Sequence, residues 1–365
     1  MKRILRQFDW ILFACIVVLS AFGVAMIYSA APVEGNLTEE FYVRQLAYVA
    51  LGFVAMFVVA VIDYRIWETW PSLPYIAAVI MLGLVAAGGE SQFSAQRWLN
   101  LGFLPVQPSE IAKILLIVSL AKYLADHESQ SQRWYHVLIS LVLLGIPAGL
   151  VYLQPNLATA IVIAAIGVGM LLMWGIRPRY LALLAAAGIA AFVIFSFTGA
   201  DYQKQRLITF FNPNDDPLGA GYNILQARIS LGSGGWGGLG YLSGTQSQLR
   251  FLRARQTDFI FSVVGEELGF IGGIIFMLLL VVVCWRMLRA AELARDAFGR
   301  LIASGLTVML FFQAIVNLGM NVGLLPVAGI PLPFLSFGGS SVISILIGQG
   351  LIQSIRLRRR KLEFE

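Results

Sequence analysis

Four carboxylates stand where a carboxylate is costly. Asp258, Glu266 and Glu267 open the stretch TDFIFSVVGEELGFIGG, which continues without charge to Cys284, and Glu110 opens another apolar run in QPSEIAK. A charged side chain near the bilayer centre costs roughly 2.5–3.5 kcal/mol on insertion scales, so such groups face other helices or a wet cavity. A carboxylate placed there can take a proton from a reacting hydroxyl or hold a divalent cation. On a helix, Asp258, Ser262 and Glu266 share one face at i, i+4 and i+8, with Asp258 and Glu266 about 12 Å apart along the axis. Spacing alone leaves Asp258 two roles, a helix N-cap beside Thr257 or a catalytic or metal-binding carboxylate. Glu110 and Lys113, three apart, read as a buried ion pair or as a polar cavity wall. Glu266 and Glu267 read as packed against Arg or Lys of neighbouring helices or as part of such a wall.

The elements that must position these groups follow from composition. The chain has 365 residues, 58% hydrophobic and 13% charged, about half the usual charged fraction of a soluble domain. Its apolar blocks have the length of membrane-spanning helices, and barrel strands would be shorter and alternating. The expected fold is all-α and polytopic, a single unit over 1–365 with ten spans near 9–30, 42–62, 74–88, 108–125, 136–152, 157–174, 180–198, 259–284, 300–322 and 341–355. The first block reads as a retained span, since no small-residue cleavage site follows it. With the N-terminus inside, 17 of the 26 Lys and Arg residues fall on the cytoplasmic side, which fixes an N-in, C-in orientation by the positive-inside rule.

That orientation narrows the chemistry. His127 and His136 fall on the cytoplasmic side, and Cys15 and Cys284 lie in the inner halves of their spans as small core residues. The outer face is left with carboxylates, Lys, Tyr or a carboxylate-held metal for acid–base work. The large outer loop, about 199–257, holds Lys204, Arg206, Arg228, Arg250, Arg253 and Arg255 and the glycine-rich run SLGSGGWGGLGYLSGTQ. It reads as a solvated face or as a site for an anionic group, where glycine backbone and arginine meet phosphate. It is not a Walker A loop, so no nucleotide is expected. Arg97 and Trp98 lie in an outer loop, with Trp98 an interfacial belt residue or a substrate platform. VGLLPVAGIPLPFLSFGGSS is too apolar and proline-rich for a free loop, and segment 323–340 is expected to dip into the bundle as a re-entrant stretch.

Taken together, these stretches resemble the SEDS family of shape, elongation, division and sporulation proteins. Asn317, Gly323, Pro326, Gly329 and the run Leu335-Ser336-Phe337-Gly338-Gly339-Ser340-Ser341 match its C-terminal signature. QRWLNLG, QPSEIAK, FNPNDDPLGAGYNILQARISLGSGG and TDFIFSVVGEELG match further blocks in order, and GWGGLGYLSGTQSQLRFL is more like the elongation branch than the division branch. Phe337, Asn156, Ala158 and Gln256 depart from the family's usual Tyr, Asp, Gly and His.

The resemblance implies a peptidoglycan glycosyltransferase in the bacterial cytoplasmic membrane. It would polymerise lipid II into nascent glycan on the outer face, within the elongation complex, beside a class B penicillin-binding protein and with no nucleic acid. The family's essential outer-loop Asp maps to Asp258, and Arg97, Trp98, Glu110 and Lys113 map to other motif positions. Asp258 is expected to act as general base or to hold Mg²⁺ or Mn²⁺, with Arg206, Arg253, Arg255 and Ser336 on the substrate. The competing reading is a lipid II flippase or other secondary transporter.

Overall fold

The computed structural model describes residues 7–31, 41–88, 90–92, 95–100, 105–198, 201–213 and 220–359. Ten long apolar helices are present at the expected places: α1 (Trp10–Ala30), α2 (Phe41–Val61), α3 (Ser72–Gly88), α4 (Pro108–Asp126), α5 (Trp134–Leu153), α6 (Leu157–Trp174) and α7 (Pro178–Thr198), then, past the two helices of the large loop, α8 (Asp201–Phe211) and α9 (Ala220–Ser233), α10 (Ile260–Glu292), α11 (Ala297–Asn321) and α12 (Gly339–Leu357). Among the described residues, seven of the ten (α1, α2, α5, α6, α10, α11 and α12) are long and apolar enough to cross a membrane. The protein is a multi-pass membrane protein.

α12 and α11 form the centre, with 78% and 67% of their apolar windows buried against 28–44% for the other five. α12 lies closely on α2, where a Cβ at Gly350 would meet Met56 O at 2.6 Å. Small residues allow helix backbones to approach in this way inside a membrane.

The all-α expectation needs one addition. Between α3 and α4 the chain forms a small antiparallel sheet, β1 (Glu90–Gln92), β2 (Ala95–Asn100) and β3 (Pro105–Val106), in the order β1-β2-β3. Trp98 pairs with Glu90, and Leu99 with Val106. Strands this short carry too little alternation to be read from sequence.

α10 is the unusual element. Its 33 residues are interrupted at Gly269, with φ 66° and ψ −167°, a backbone region open only to glycine. The glycine-rich turn after α9 enters this break. Leu239 N and Gly240 N donate to Glu266 O and Glu267 O at 2.9 and 3.0 Å, while Phe270 N and Ile271 N donate to Gly235 O and Trp236 O at 2.9 and 3.1 Å. The backbone groups released by the break are thus bonded by the loop, as a low-dielectric setting demands. The approach requires missing side chains, because a Cβ at Gly234 would lie 1.8 Å from Gly265 O and one at Gly238 would lie 2.1 Å from Glu267 O. Beyond the break, Phe270–Glu292 gives about 34 Å of helix, enough to cross a hydrocarbon core by itself. Glu266 and Glu267 belong to the short stub before the break, not to a continuous span.

Candidate active site

The stub places the acids, and the spacing argument fails at its first residue. α10 starts at Ile260 with Phe259 as its N-cap position. Asp258 therefore precedes the helix, does not continue the face of Ser262 and Glu266, and sits half-buried in the turn that leads into it.

Three successive carbonyls of that turn are held from outside. Phe337 N donates to Gln256 O at 2.8 Å, Ser336 Oγ donates to Thr257 O at 2.6 Å, and Asn317 and Asn321 donate through Nδ2 to Asp258 O at 3.2 and 3.0 Å. Asn317 also donates to Ile330 O at 2.8 Å. Both asparagines are fully buried on the last turns of α11. The backbone under Asp258 is thus fixed to segment 323–338. Its side chain faces that segment, since a Cβ at Gly329 would lie 3.9 Å from Asp258 Oδ2. The segment is non-helical and runs deep into the bundle: Phe334 O lies where a Cβ at Gly23 would come within 2.1 Å, and Gly23 is about 10 Å below the end of α1.

Ser336 serves this clamp. Its hydroxyl donates to Thr257 O and accepts from Leu332 N at 2.8 Å. Phe337 contributes its backbone N–H, which explains why a phenylalanine is tolerated there. Asn156 likewise needs no charge, since it caps α6 by accepting from Thr159 N at 3.3 Å. Gln107 N donates to Ser340 Oγ at 2.8 Å, so the start of α4 hangs from the first turn of α12, just after that segment. There Glu110 and Lys113 form a 2.8 Å ion pair with side chains 3% and 1% exposed. Glu110 Oε2 is buried without a hydrogen-bond partner among the described residues. Arg97 and Trp98 lie on β2, and their side chains fall outside the described residues.

Among the described residues Glu266 and Glu267 are not paired with Arg or Lys, contrary to that expectation. Glu266 accepts from Gln246 N (2.7 Å), Ser247 N (3.2 Å), Thr245 Oγ1 (3.2 Å) and Ser230 Oγ (3.0 Å). Glu267 accepts from Ser29 Oγ at 2.5 and 2.7 Å. Both are fully buried. They fasten the glycine-rich turn and α1 to the stub. Gly234 and Gly238 are accordingly committed to the helix break.

The loop arginines reach backbone carbonyls and an aromatic ring. Arg206 donates to Val327 O at 3.4 Å and Arg228 to Gly323 O at 3.3 Å, so α8 and α9 both reach the 323–338 segment. Arg253 lies over the Tyr222 ring at 5.6 Å, and Arg255 donates to Ala30 O. Burial, and then the neighbouring charge of Arg250, pulls the Arg255 guanidinium below its ordinary pKa. None of Arg206, Arg253 and Arg255 meets a carboxylate among the described residues. An apolar groove of about 550 Å³ starts at Phe261, three residues beyond Asp258, and runs between α10 and α11 past Gly265, Gly269, Leu318 and Val322. No residue of α4 lines it.

Residues 9–361 match the family model described as "Cell cycle protein", which spans FtsW, RodA and SpoVE. The chain belongs to this family. It is 41% identical over 346 residues to the peptidoglycan glycosyltransferase MrdB of Escherichia coli K12, covering 94% of this chain and 92% of that one. It is 34% identical over 354 residues to stage V sporulation protein E of Bacillus subtilis, covering 95% and 96%. Among solved structures it is similar to the rod shape determining protein RodA of Thermus thermophilus, with TM-score 0.73, 28% identity and coverage of 97% and 98%. A chain from work on the structural coordination of polymerization and crosslinking by a peptidoglycan synthase complex superposes with TM-score 0.83 at 29% identity, covering 96% and 97%. Asn321 and the four donors on Glu266 are what sequence reasoning missed in this member of the SEDS family. Each joins residues far apart in the chain, and no local pattern marks them.

Proposed function

We infer that this protein is a peptidoglycan glycosyltransferase of the rod-shape type, polymerising lipid II on the outer face of the cytoplasmic membrane with Asp258 as its reacting carboxylate. The observation that carries the reading is the clamp on Gln256, Thr257 and Asp258, which holds one carboxylate in fixed register against a buried segment. Preorganised groups of this kind lose nothing to reorientation during reaction.

Asp258 takes the proton from the acceptor sugar hydroxyl, and that oxygen attacks the anomeric carbon of the growing chain. The bond to polyprenyl pyrophosphate breaks in the same displacement, which inverts the anomeric centre without a covalent intermediate. Arg206, Arg253 and Arg255 supply positive charge for the departing pyrophosphate. The groove beside Phe261 offers apolar walls for a lipid chain. A divalent cation at Asp258 would polarise the pyrophosphate, and its other ligands would be phosphate oxygens and water, because the described residues gather no group of three or more His, Cys, Asp or Glu.

The ten long helices are read as ten spans with both ends cytoplasmic. A class B penicillin-binding protein is the proposed partner, supported by the similarity to a chain of a peptidoglycan synthase complex. Purified protein reconstituted with that partner and lipid II tests the reading. Glycan strands are expected. Transbilayer movement of lipid II without glycan would make the protein a flippase, and neither would leave a scaffold.

A further inference from the structure

At the end of the bundle about 30 Å along α1 from the Arg255 contact, three helices bring two arginines to one carboxylate. Asp9 caps α1 with its side chain 1% exposed. Oδ1 accepts from Leu12 N and Arg286 Nε, both at 3.1 Å, and Oδ2 accepts from Arg286 Nε and Nη2 at 3.0 and 2.7 Å. Gln353 of α12 binds the backbone N–H and C=O of Asp9, each at 3.0 Å. Three N–H groups thus hold this carboxylate, the Arg286 Nε hydrogen being shared by both oxygens.

Arg356, three residues after Gln353, comes within 3.7 Å of Asp9 Oδ2. That distance allows attraction but no hydrogen bond. Its side chain is 11% exposed, and its Nε and Nη1 are buried without an acceptor among the described residues. Arg289 and Arg359 add positive charge around it, with Arg289 already paired to Glu292 at 2.8 Å. The cluster therefore has more guanidinium than carboxylate, and one of its members lacks acceptors.

We propose that Arg356, together with Arg286 and Arg359, binds the phosphate group of an anionic phospholipid at this end of the bundle. α1 and α12 are both long and apolar enough to cross a membrane, so their ends lie at headgroup level. Guanidinium groups match phosphate oxygens in a planar fork, and basic pockets between spanning helices hold acidic headgroups. A phosphate would give Arg356 the acceptors that Asp9 cannot, and would tie the ends of α1, α10 and α12 together.

Native mass spectrometry of the detergent-solubilised full chain tests this, with phosphatidylglycerol, phosphatidylcholine and inorganic phosphate as separate probes. The wild type is expected to retain phosphatidylglycerol over phosphatidylcholine. Arg356→Gln, which leaves the Asp9–Arg286 pair in place, should bind phosphatidylglycerol roughly fivefold more weakly, with Arg356→Lys intermediate. Unchanged melting of the lipid-free variants shows that folding is not the cause. Equal retention of phosphatidylglycerol by wild type and Arg356→Gln would overturn the proposal, as would equal retention of the two lipids. Displacement of the lipid by inorganic phosphate would overturn the lipid as source. Deletion of residues 362–365, which carry Glu363 and Glu365 and no basic residue, is expected to leave lipid binding unchanged. A marked rise would assign the place to the chain's own tail.

Discussion

The amide of Asn321 joins two jobs. Its Oδ1 accepts from Ser262 N and Ser262 Oγ at 3.2 and 2.8 Å, giving α10 the cap that Phe259 cannot. Its Nδ2 donates to Asp258 O at 3.0 Å. One side chain of α11 thus sets both where α10 begins and where Asp258 stands. In Asn321→Ala, Ser262 N and Asp258 O each lose one of two partners, Phe259 O and Asn317 Nδ2 remaining, so each lost bond is worth about 0.5–1.5 kcal/mol. Polymerisation by the purified complex should fall at least tenfold in maximal rate with little change in apparent lipid II affinity, and the melting temperature should drop. A rate like wild type's would show that the carboxylate does not depend on this clamp. Asp258 and Asn317 could be found from the family signature. Asn321 could not, because a cap supplied from 59 residues away leaves no mark on the sequence near either residue. Ser336 was legible as a conspicuous hydroxyl but not in its task, since only the fold shows that it binds Thr257 O.

At the scale of elements, the break in α10 explains both the buried acids and the glycine-rich loop. A Cβ at Gly269 would lie 2.3 Å from Gly238 N and 2.7 Å from Trp236 C, at a φ of +66°. Gly269→Ala should therefore cost at least the 1–3 kcal/mol of such backbone strain and release the turn at 234–251. Thermal melting and limited proteolysis of that turn read the effect. Gly237→Ala, whose Cβ meets nothing within 4 Å, is expected to behave as wild type. Equal melting of the two variants would contradict the insertion. The helix was visible in the sequence as one apolar run. Its interruption was not, because hydrophobicity does not change across Gly269 and the loop that satisfies the break lies about 30 residues earlier. The charges were the clue: Glu266 and Glu267 look too deep only if the helix is continuous.

For the whole molecule, the ten long helices were legible to within a few residues at most ends, since length and hydropathy alone mark them. Two of them fall short as spans by themselves for visible reasons: α3 has only 17 residues, and α4 carries Glu110, Lys113, Lys122 and Asp126. The small sheet and the pairing of distant segments were hidden, as they depend on tertiary contact. The two ends of the bundle differ in kind: one carries Asp258, the clamp and the loop arginines, and the other carries Asp9, Arg286 and Arg356. Cysteine labelling in intact spheroplasts should therefore modify Trp236→Cys from outside and Gln132→Cys only after permeabilisation, with Cys15 and Cys284 replaced by serine. The reverse pattern would invert the molecule and place its chemistry in the cytoplasm.

The central claim is that the Asp258 carboxylate handles the proton of the acceptor sugar. Glycan synthesis from lipid II by the purified complex, compared between wild type and Asp258→Asn, tests it most directly. The variant should retain the wild-type melting temperature and partner binding, and its rate should fall by roughly 10²–10⁴. Strand synthesis at the wild-type rate by Asp258→Asn would contradict the account.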